Sequence, residues 1–485
     1  MASVSLFTPA PQFSNDVADI VRVFLGKITL FINEEGGEYV IRHQETEMNG
    51  GVKCRVSLND TIVRDNMRTP ETNALLEKRY RKRQLKLMVY ECLKELTGFT
   101  PPWGALTGIR PSRLVYTAME SGLSLDAACH EVQHTFDVQD EKMQLLHDLI
   151  EVQSRYPQPT EKDVDLYVGI PFCVSRCAYC SFLSEEVGKG KQLEPYTAAL
   201  EQELEQTLQL IDALGLRPRA FYMGGGTPTS LPAPLLKRVL SACKPFIDRV
   251  AEVTVEAGRP DTIDREKLDI IFQSGATRIS INPQTSHDIT LQRIGRHHTA
   301  KQTEDAYALA RQAGFRHINM DLITGLPGEN LKMFEETLRW SRDLAPESLT
   351  IHSLSIKRSS ILHLQDVPLP DAKMTAEMTR MGQQAAIVRG MKPYYLYRQK
   401  YMAGNQENVG YALPGHACLY NIDMMEETGT VLAVGAGAIS KRVLSEKGHI
   451  ERAPNVSDIC HYISRIPEMV ERKRAVFTAD WSHLK

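Results

Sequence analysis

Six short apolar runs, "DLYVGI", "AFYMG", "EVTVEA", "RISIN", "INMDLI" and "SLTIHSL", recur between positions 165 and 354 with helical text in the gaps. This alternation constrains the chain more than any other feature. Strands that are apolar nearly throughout are buried on both faces, which argues for a parallel sheet or barrel with helices outside it. The gaps have the spacing such helices need. "PYTAALEQELEQTLQLIDAL" sets Leu200, Leu204, Leu208 and Ile211 on one face, and a later stretch aligns Leu331, Phe334 and Leu338. An α/β class follows. In such folds ligands gather at the C-terminal ends of the strands. The residues there are Pro171–Cys180, "GGGTPT" (Gly224–Thr229), Glu256–Pro260, Gln284 and "TGLPGEN" (Thr324–Asn330). Thiols, glycines and polar groups are thus predicted on one rim.

A chain of 485 residues is too long for one ordinary core, and two or three domains are expected. Residues 20 to 65 alternate apolar runs ("RVFLGKITLFI", "EYVIRH", "KCRVSL") with "EEGGE" and "NGG", predicting strands joined by tight turns. From Glu71 to about Ile150 the pattern is helical. "LLEKRYRKRQLKLMVYECLKELTG" closes on Gly98, and "PPWGALTGIRPSR" is a Pro/Gly loop with two arginines. "RYPQPTEKDVD" marks the boundary, giving an N-terminal α+β domain over 1–155. The run "EKRYRKRQLK" predicts a solvated helix face, with a docking patch for an acidic partner as the alternative.

With 42% hydrophobic and 24% charged residues the composition is that of a soluble globular protein, and a net charge of −3 supplies no basic field for nucleic acid. No apolar run approaches the ~18 residues of a membrane span, and "MASVSLFTPAPQFSN" lacks the features of an export signal. A cytoplasmic location is expected. Nine cysteines, six of them scattered at 54, 92, 129, 243, 418 and 460, suit a reducing compartment and predict small buried hydrophobes.

The other three stand together in "YVGIPFCVSRCAYCSF": Cys173, Cys177 and Cys180 form CxxxCxxC on a loop leaving the first strand. A structural zinc site normally draws four ligands in two CxxC knuckles, and no second pair is near; zinc with a distant histidine is the alternative. Four-iron clusters usually take four thiolates. Three leave one iron open to an outside ligand. S-adenosylmethionine (SAM) can occupy that position through its amino and carboxylate groups, and its sulfonium can then be cleaved reductively.

With "GGGTPT", "EAGRPD", "NPQTSHDITLQRIGR" and "MDLITGLPGE", this motif resembles radical SAM enzymes, specifically the oxygen-independent coproporphyrinogen III oxidase (dehydrogenase) family and its haem-chaperone relatives. The resemblance covers about 160–360. "PYYLYRQKYMAGNQENVGYALPGHACLYN" with "GAGAISK" resembles the C-terminal region of the HemZ-like bacterial branch. It implies a partial (βα)6 barrel over 160–360 and a C-terminal, mainly α+β extension over 361–485. It also implies a 4Fe-4S cluster on Cys173, Cys177 and Cys180, with SAM beside Tyr167, Tyr179, Gly225, Gly226, Thr227 and Glu256. A second SAM is implied at Gln284, Arg296, Asp321 and Ser355. Two of these have a physical sense of their own. Glycines without Cβ let backbone approach the amino acid end of SAM, and a carboxylate inside the apolar "INMDL" is costly unless used.

The implied partners are a tetrapyrrole, coproporphyrinogen III or haem, and a low-potential electron donor such as flavodoxin or ferredoxin. The implied reaction removes hydrogen and carbon dioxide from propionates to leave vinyl groups, converting coproporphyrinogen III to protoporphyrinogen IX. Arginines suit the remaining carboxylates, and the candidates are Arg110, Arg113, Arg358 and Arg398. The sequence departs from the dehydrogenases at three places. Phe182 stands where they carry a fourth cysteine, as in the haem chaperones; Gly169 replaces the usual histidine; and the first 150 residues are unlike theirs. A haem-trafficking protein with a retained cluster site is the alternative function. In "GHAC", His416 and Cys418 are read as loop and core before a haem or metal site. "GAGA" (Gly435–Ala438) lacks the rest of a dinucleotide fingerprint, so nicotinamide binding is not expected.

Overall fold

The computed structural model describes residues 1–108, 110–180, 184–355, 369–399, 402, 405–444 and 448–481. Phe182 and Arg358 lie outside the described residues. The chain forms two compact units, Met1–His147 and Asp148–Lys485, which divide within the helix Asp140–Gln153.

The first unit has a five-stranded sheet made of β1 (Ala2–Phe7), β2 (Ile28–Ile32), β3 (Tyr39–Met48), β4 (Gly51–Leu58) and β5 (Ile62–Arg68), in the order β2-β1-β3-β4-β5. Two features differ from the sequence expectation. "SVSLF" is a central strand with Val4 and Leu6 fully buried. Arg22–Leu25 of "RVFLGKITLFI" belongs to the helix Ser14–Leu25, because Val17, Ala18, Ile20 and Val21 repeat at helical spacing and are buried. Four helices then run Ala74–Thr97, Ser112–Glu120, Leu125–Phe136 and Asp140–Gln153. Asn73 caps the first, and Gly98 closes it at φ 64°. Its basic run is largely paired within the unit. Arg81 meets Glu45 at 2.6 Å, Lys82 meets Asp16 at 3.3 Å, and Arg83 lies over the Phe136 ring.

In the second unit the six expected strands form: β6 (Asp163–Ile170), β9 (Arg217–Gly225), β10 (Glu252–Gly258), β11 (Arg278–Ile281), β12 (Ile318–Thr324) and β13 (Ser348–Ser353). All neighbours pair parallel and in chain order. The short pair β7 (Phe172–Cys173) and β8 (Glu185–Glu186) closes the base of the cysteine loop. The architecture is α/β with mixed, mainly parallel pairing and an open sheet, because the C-terminal segment adds strands to both edges. On β13 lie β15 (Asn408–Ala412) and then β14 (Lys392–Tyr397), both pairs antiparallel. On β6 lies β16 (Thr430–Val434), parallel, followed by β17 (Ile439–Leu444) and β18 (His449–Pro454). No helix among the described residues is long and apolar enough to cross a membrane.

The central strands are not apolar throughout. One face of the sheet carries Leu166, Val168, Phe221, Met223, Val253, Val255, Ile279, Met320, Leu322 and Ile351, all essentially inaccessible to solvent. The alternate positions carry Asp165, Tyr167, Tyr222, Glu256, Ser280, Asn319, Asp321, Thr350 and His352. Strand alternation therefore separates a packing face from a chemical face.

The far end of the chemical face is filled by Tyr420, which stacks on Tyr222 at 4.4 Å and on Tyr167 at 6.2 Å between ring centroids. Asp165 is buried there, and neither carboxylate oxygen has a hydrogen-bond partner among the described residues. Burial first, then the charge of Asp423, raises it well above the usual carboxylate range, against the opposing charges of Arg219 and Lys441. The folded state thus holds a proton that the unfolded chain releases above about pH 4. This contribution to stability is complete below that pH and is lost as pH rises toward the folded value, by at most about 1.4 kcal/mol per pH unit. Asp165→Asn is expected to flatten this slope, so that in thermal melts its advantage over wild type is larger at pH 8 than at pH 5. An unchanged slope would remove Asp165 as its source.

Candidate functional site

The C-terminal ends of β6 and β9 shape the rim. After Ile170 the chain enters Pro171-Phe172-Cys173, and beside it Gly225 turns at φ 108°. A Cβ on Gly226 would stand 2.6 Å from the Phe172 carbonyl oxygen, and the Gly226 and Thr227 amides each donate to this segment at 2.7 Å. The glycines therefore serve first to bring the chain's own cysteine segment against β9. Thr227 Oγ1 ends 3.5 Å from Cys173 Sγ. Gly224 leaves room in a different direction, since a Cβ there would meet the Glu256 carboxyl at 3.1 Å.

The cysteine loop rests on an apolar patch of Ala178, Leu291, Ile294, Ile323, Leu326 and Leu354, with Tyr179 packed against it. The Ala178 amide donates to Ile294 O at 2.9 Å, and Ser175 Oγ donates to Gly295 O at 3.2 Å. Two buried guanidiniums reach the loop. Arg259 Nη1 lies 3.7 Å from Cys177 Sγ, and Arg296, whose charge acts on Tyr179 and Cys177, donates to Asn282 O at 2.5 Å. His298 is buried near both, and burial followed by the Arg296 charge pushes it down to about 3, so it adds no charge.

Below the loop, Glu256 accepts a hydrogen bond from Tyr222. Burial raises Glu256 to about 7, with Asp321 contributing in the same direction. Asp321 is held the opposite way. Burial works to raise it, but the polar neighbours His352, Asn319 and Thr350 outweigh that and keep it low. The His352 Nε2 to Asp321 Oδ2 distance is 3.6 Å, and Asn319 Nδ2 donates at 2.9 Å. Gln284 occupies the left-handed region at φ 71° and exchanges backbone bonds with Asp321 and Ile323 at 3.0 Å each. Its Oε1, Asn282 Oδ1 and Ser355 Oγ are buried without a hydrogen-bond partner among the described residues. Orphaned acceptors and a left-handed side-chain residue thus stand on one rim, features that make it the candidate ligand site.

The rim collects Cys173, Cys177, Cys180, Tyr179, Gly225, Gly226, Thr227, Glu256, Gln284, Arg296, Asp321 and Ser355, with Tyr167 stacked lower, against Tyr222. Among the described residues no three Cys, His, Asp or Glu side chains form a ready metal-ligating group. The chemistry of the rim nevertheless fits an iron–sulfur cluster with SAM. Three thiols share one loop, guanidinium donors face the middle one, and unpartnered acceptors stand nearby.

Sequence reasoning passed over Arg259, His352 and Asn319. Arg259 sits in the quoted "EAGRPD", and the polar alternation of "INMDL" and "LTIHS" was the available signal for the other two. The arginine candidates separate. Arg398 is buried, bonds Asn405 Oδ1 at 2.6 Å and is lowered to about 10 by burial. Arg113 is exposed and paired with Glu120, and Arg110 lies in the same first unit. "GHAC" is structural. Glu252 accepts the Leu419 and Tyr420 amides at 2.8 and 3.0 Å, Cys418 is buried with its thiol raised to about 12, and His416 Nδ1 meets His317 Nδ1 at 3.2 Å. "GAGA" is a close crossing, since a Cβ on Gly435 would stand 2.4 Å from Gly169 O.

Residues 167–341 match the radical SAM superfamily. Over 402 residues the chain is 39% identical to the oxygen-independent coproporphyrinogen-III oxidase-like protein HemZ of Bacillus subtilis (strain 168), covering 81% of this chain and 80% of that protein. It is 31% identical over 312 residues to the heme chaperone HemW of the same strain, covering 62% of this chain and 76% of that one. Among solved structures, the coproporphyrinogen III oxidase HemN from Escherichia coli, described as a radical SAM enzyme, superposes with a TM-score of 0.52 at 22% identity. That match covers 66% of this chain and 72% of HemN, and it is a likeness of fold.

Proposed function

This chain belongs to the radical SAM family that includes HemZ, and from that premise we propose that it oxidatively decarboxylates propionates of coproporphyrinogen III to the vinyl groups of protoporphyrinogen IX. The observation that carries this reading is the 39% identity to HemZ over 402 residues, 81% of the chain. The family's 4Fe-4S cluster, when bound with SAM, supplies a one-electron reductive cleavage that produces a hydrogen-abstracting radical.

The chain's residues have distinct parts in this proposal. Cys173, Cys177 and Cys180 would hold the cluster, with an iron position left for SAM. The glycine edge keeps the cysteine loop against β9, and Glu256 offers a carboxyl to the polar groups of SAM. Tyr222, donating to Glu256, fixes the orientation of that carboxyl. Asp321 stays ionised through His352, Asn319 and Thr350 and would bind a cationic or hydroxylated group of a second SAM beside Gln284 and Ser355. Arg398 is a candidate for a substrate carboxylate. A low-potential flavodoxin or ferredoxin would supply the electron.

A haem-trafficking role is the second reading, favoured by the 31% identity to the heme chaperone HemW. One anaerobic experiment separates the two. Reconstituted protein with SAM, reductant and coproporphyrinogen III is expected to yield protoporphyrinogen IX and deoxyadenosine. Tight stoichiometric haem binding without turnover would establish the carrier instead. Asp321→Ala is expected to lower SAM stoichiometry from two to one, measured by equilibrium dialysis; a wild type that binds one SAM removes the second site.

A further inference from the structure

Arg259 is buried, and its guanidinium lies between an acid and the cysteine loop. Nε and Nη2 donate to the two oxygens of Asp261 at 3.0 and 2.7 Å, a two-pronged pairing that fixes the guanidinium plane. With that edge held, Nη1 faces the loop and has three acceptors there. They are Ser175 O at 3.2 Å, Ser175 Oγ at 3.1 Å and Cys177 Sγ at 3.7 Å. Ser175 lies midway between Cys173 and Cys177, so one side chain ties down the loop backbone and also meets a sulfur. The loop has other anchors, one of which shares the Ser175 hydroxyl with Arg259. Ala178 and Ser175 bond to Ile294 and Gly295, and the Arg176 amide donates to Glu186 at 3.2 Å.

A buried guanidinium whose donors were left unmatched would be costly, so its aim at this loop has to be met by acceptors. Neutral acceptors would suffice for folding. A sulfur that becomes an anionic cluster ligand is a better one, and reducing a cluster adds negative charge that a fixed N–H donor stabilises. We propose that Arg259, clamped by Asp261, is a positioning residue that presets the cysteine loop and raises the reduction potential of its cluster by directing an N–H at the Cys177 sulfur. This rests on the loop being the cluster's ligand set. Lysine would keep the charge but could not bridge Asp261 and the loop with one rigid fork.

The test compares anaerobically reconstituted wild type, Arg259→Lys and Arg259→Met by iron and sulfide content and by redox titration followed by electron paramagnetic resonance. Neither readout requires tetrapyrrole turnover. Arg259→Met is expected to retain its iron and titrate at a more negative potential than wild type, with Arg259→Lys between them. An unshifted potential in the iron-replete methionine variant overturns the tuning role. If that variant loses its iron, the lysine variant decides: a negative shift supports the role and an unshifted potential overturns it. Wild-type protein that assembles no cluster overturns the proposal together with the ligand set. Failure of coproporphyrinogen turnover with an intact cluster touches the proposed reaction alone.

Discussion

Cys177→Ala is expected to abolish the four-iron absorbance and protein-bound iron and, with them, SAM cleavage, while the far-ultraviolet circular dichroism of the polypeptide is retained. Cys177 sits on a loop whose contacts run to Ile294, Gly295 and Arg259, outside the strand pairing of the eleven-stranded sheet. Losing one of three thiolates leaves two protein ligands where a four-iron cluster needs at least three from this chain. The control is Cys460→Ser, a substitution of the exposed cysteine on the helix Ile459–Ser464, which should keep its iron in full. Full iron content in Cys177→Ala would remove the loop as the ligand set, and the proposed radical chemistry would go with it.

Lys473→Met is expected to be the most destabilising single change in the second unit, lowering unfolding free energy by about 3–5 kcal/mol in a denaturant titration. Lys473 and Glu203 are both inaccessible to solvent and form an ion pair between the helices Ile466–Thr478 and Leu193–Ala213. Burial lowers Lys473, and Glu203 opposes that by holding its proton. Glu203 also accepts from the Tyr462 hydroxyl, from Asn455 Nδ2 at 2.7 Å and from the Gly435 amide at 2.8 Å. Removing the lysine leaves a buried carboxylate short of its positive partner. Lys473→Met with Glu203→Gln should recover part of the loss, because the unpaired charge is then gone. A loss below about 1 kcal/mol for the single variant would mean that the neutral donors suffice. Beside it Tyr196, whose ring centroid lies 5.3 Å from that of Tyr462, donates to Gly169 O at 2.7 Å and receives the Ala436 amide at 3.2 Å.

The legible part of the fold is the part made of local pattern. All six central strands and the helices between them follow from runs such as "EVTVEA" and from residues such as Leu200 and Leu204, both fully buried. Leu331, set on the same footing, is 38% exposed, because periodicity assigns a face without saying how far its end is covered. The strand "SVSLF" was missed for a similar reason. Five residues have no repeat to display, and their centrality comes from pairing with residues 26 and 35 positions away.

By itself the sequence determined the order of the six central strands, the rim that follows them, and the three thiols, because each is a matter of spacing along one chain. Only tertiary structure decided that the C-terminal segment flanks both edges of the sheet and that Arg259 and Arg296 converge on Cys177. The physical reason is separation. Arg259 and Cys177 are 82 positions apart, and Lys473 and Glu203 are 270 apart. Charges buried together from such distances leave no periodic trace, and only the packed chain gives them partners.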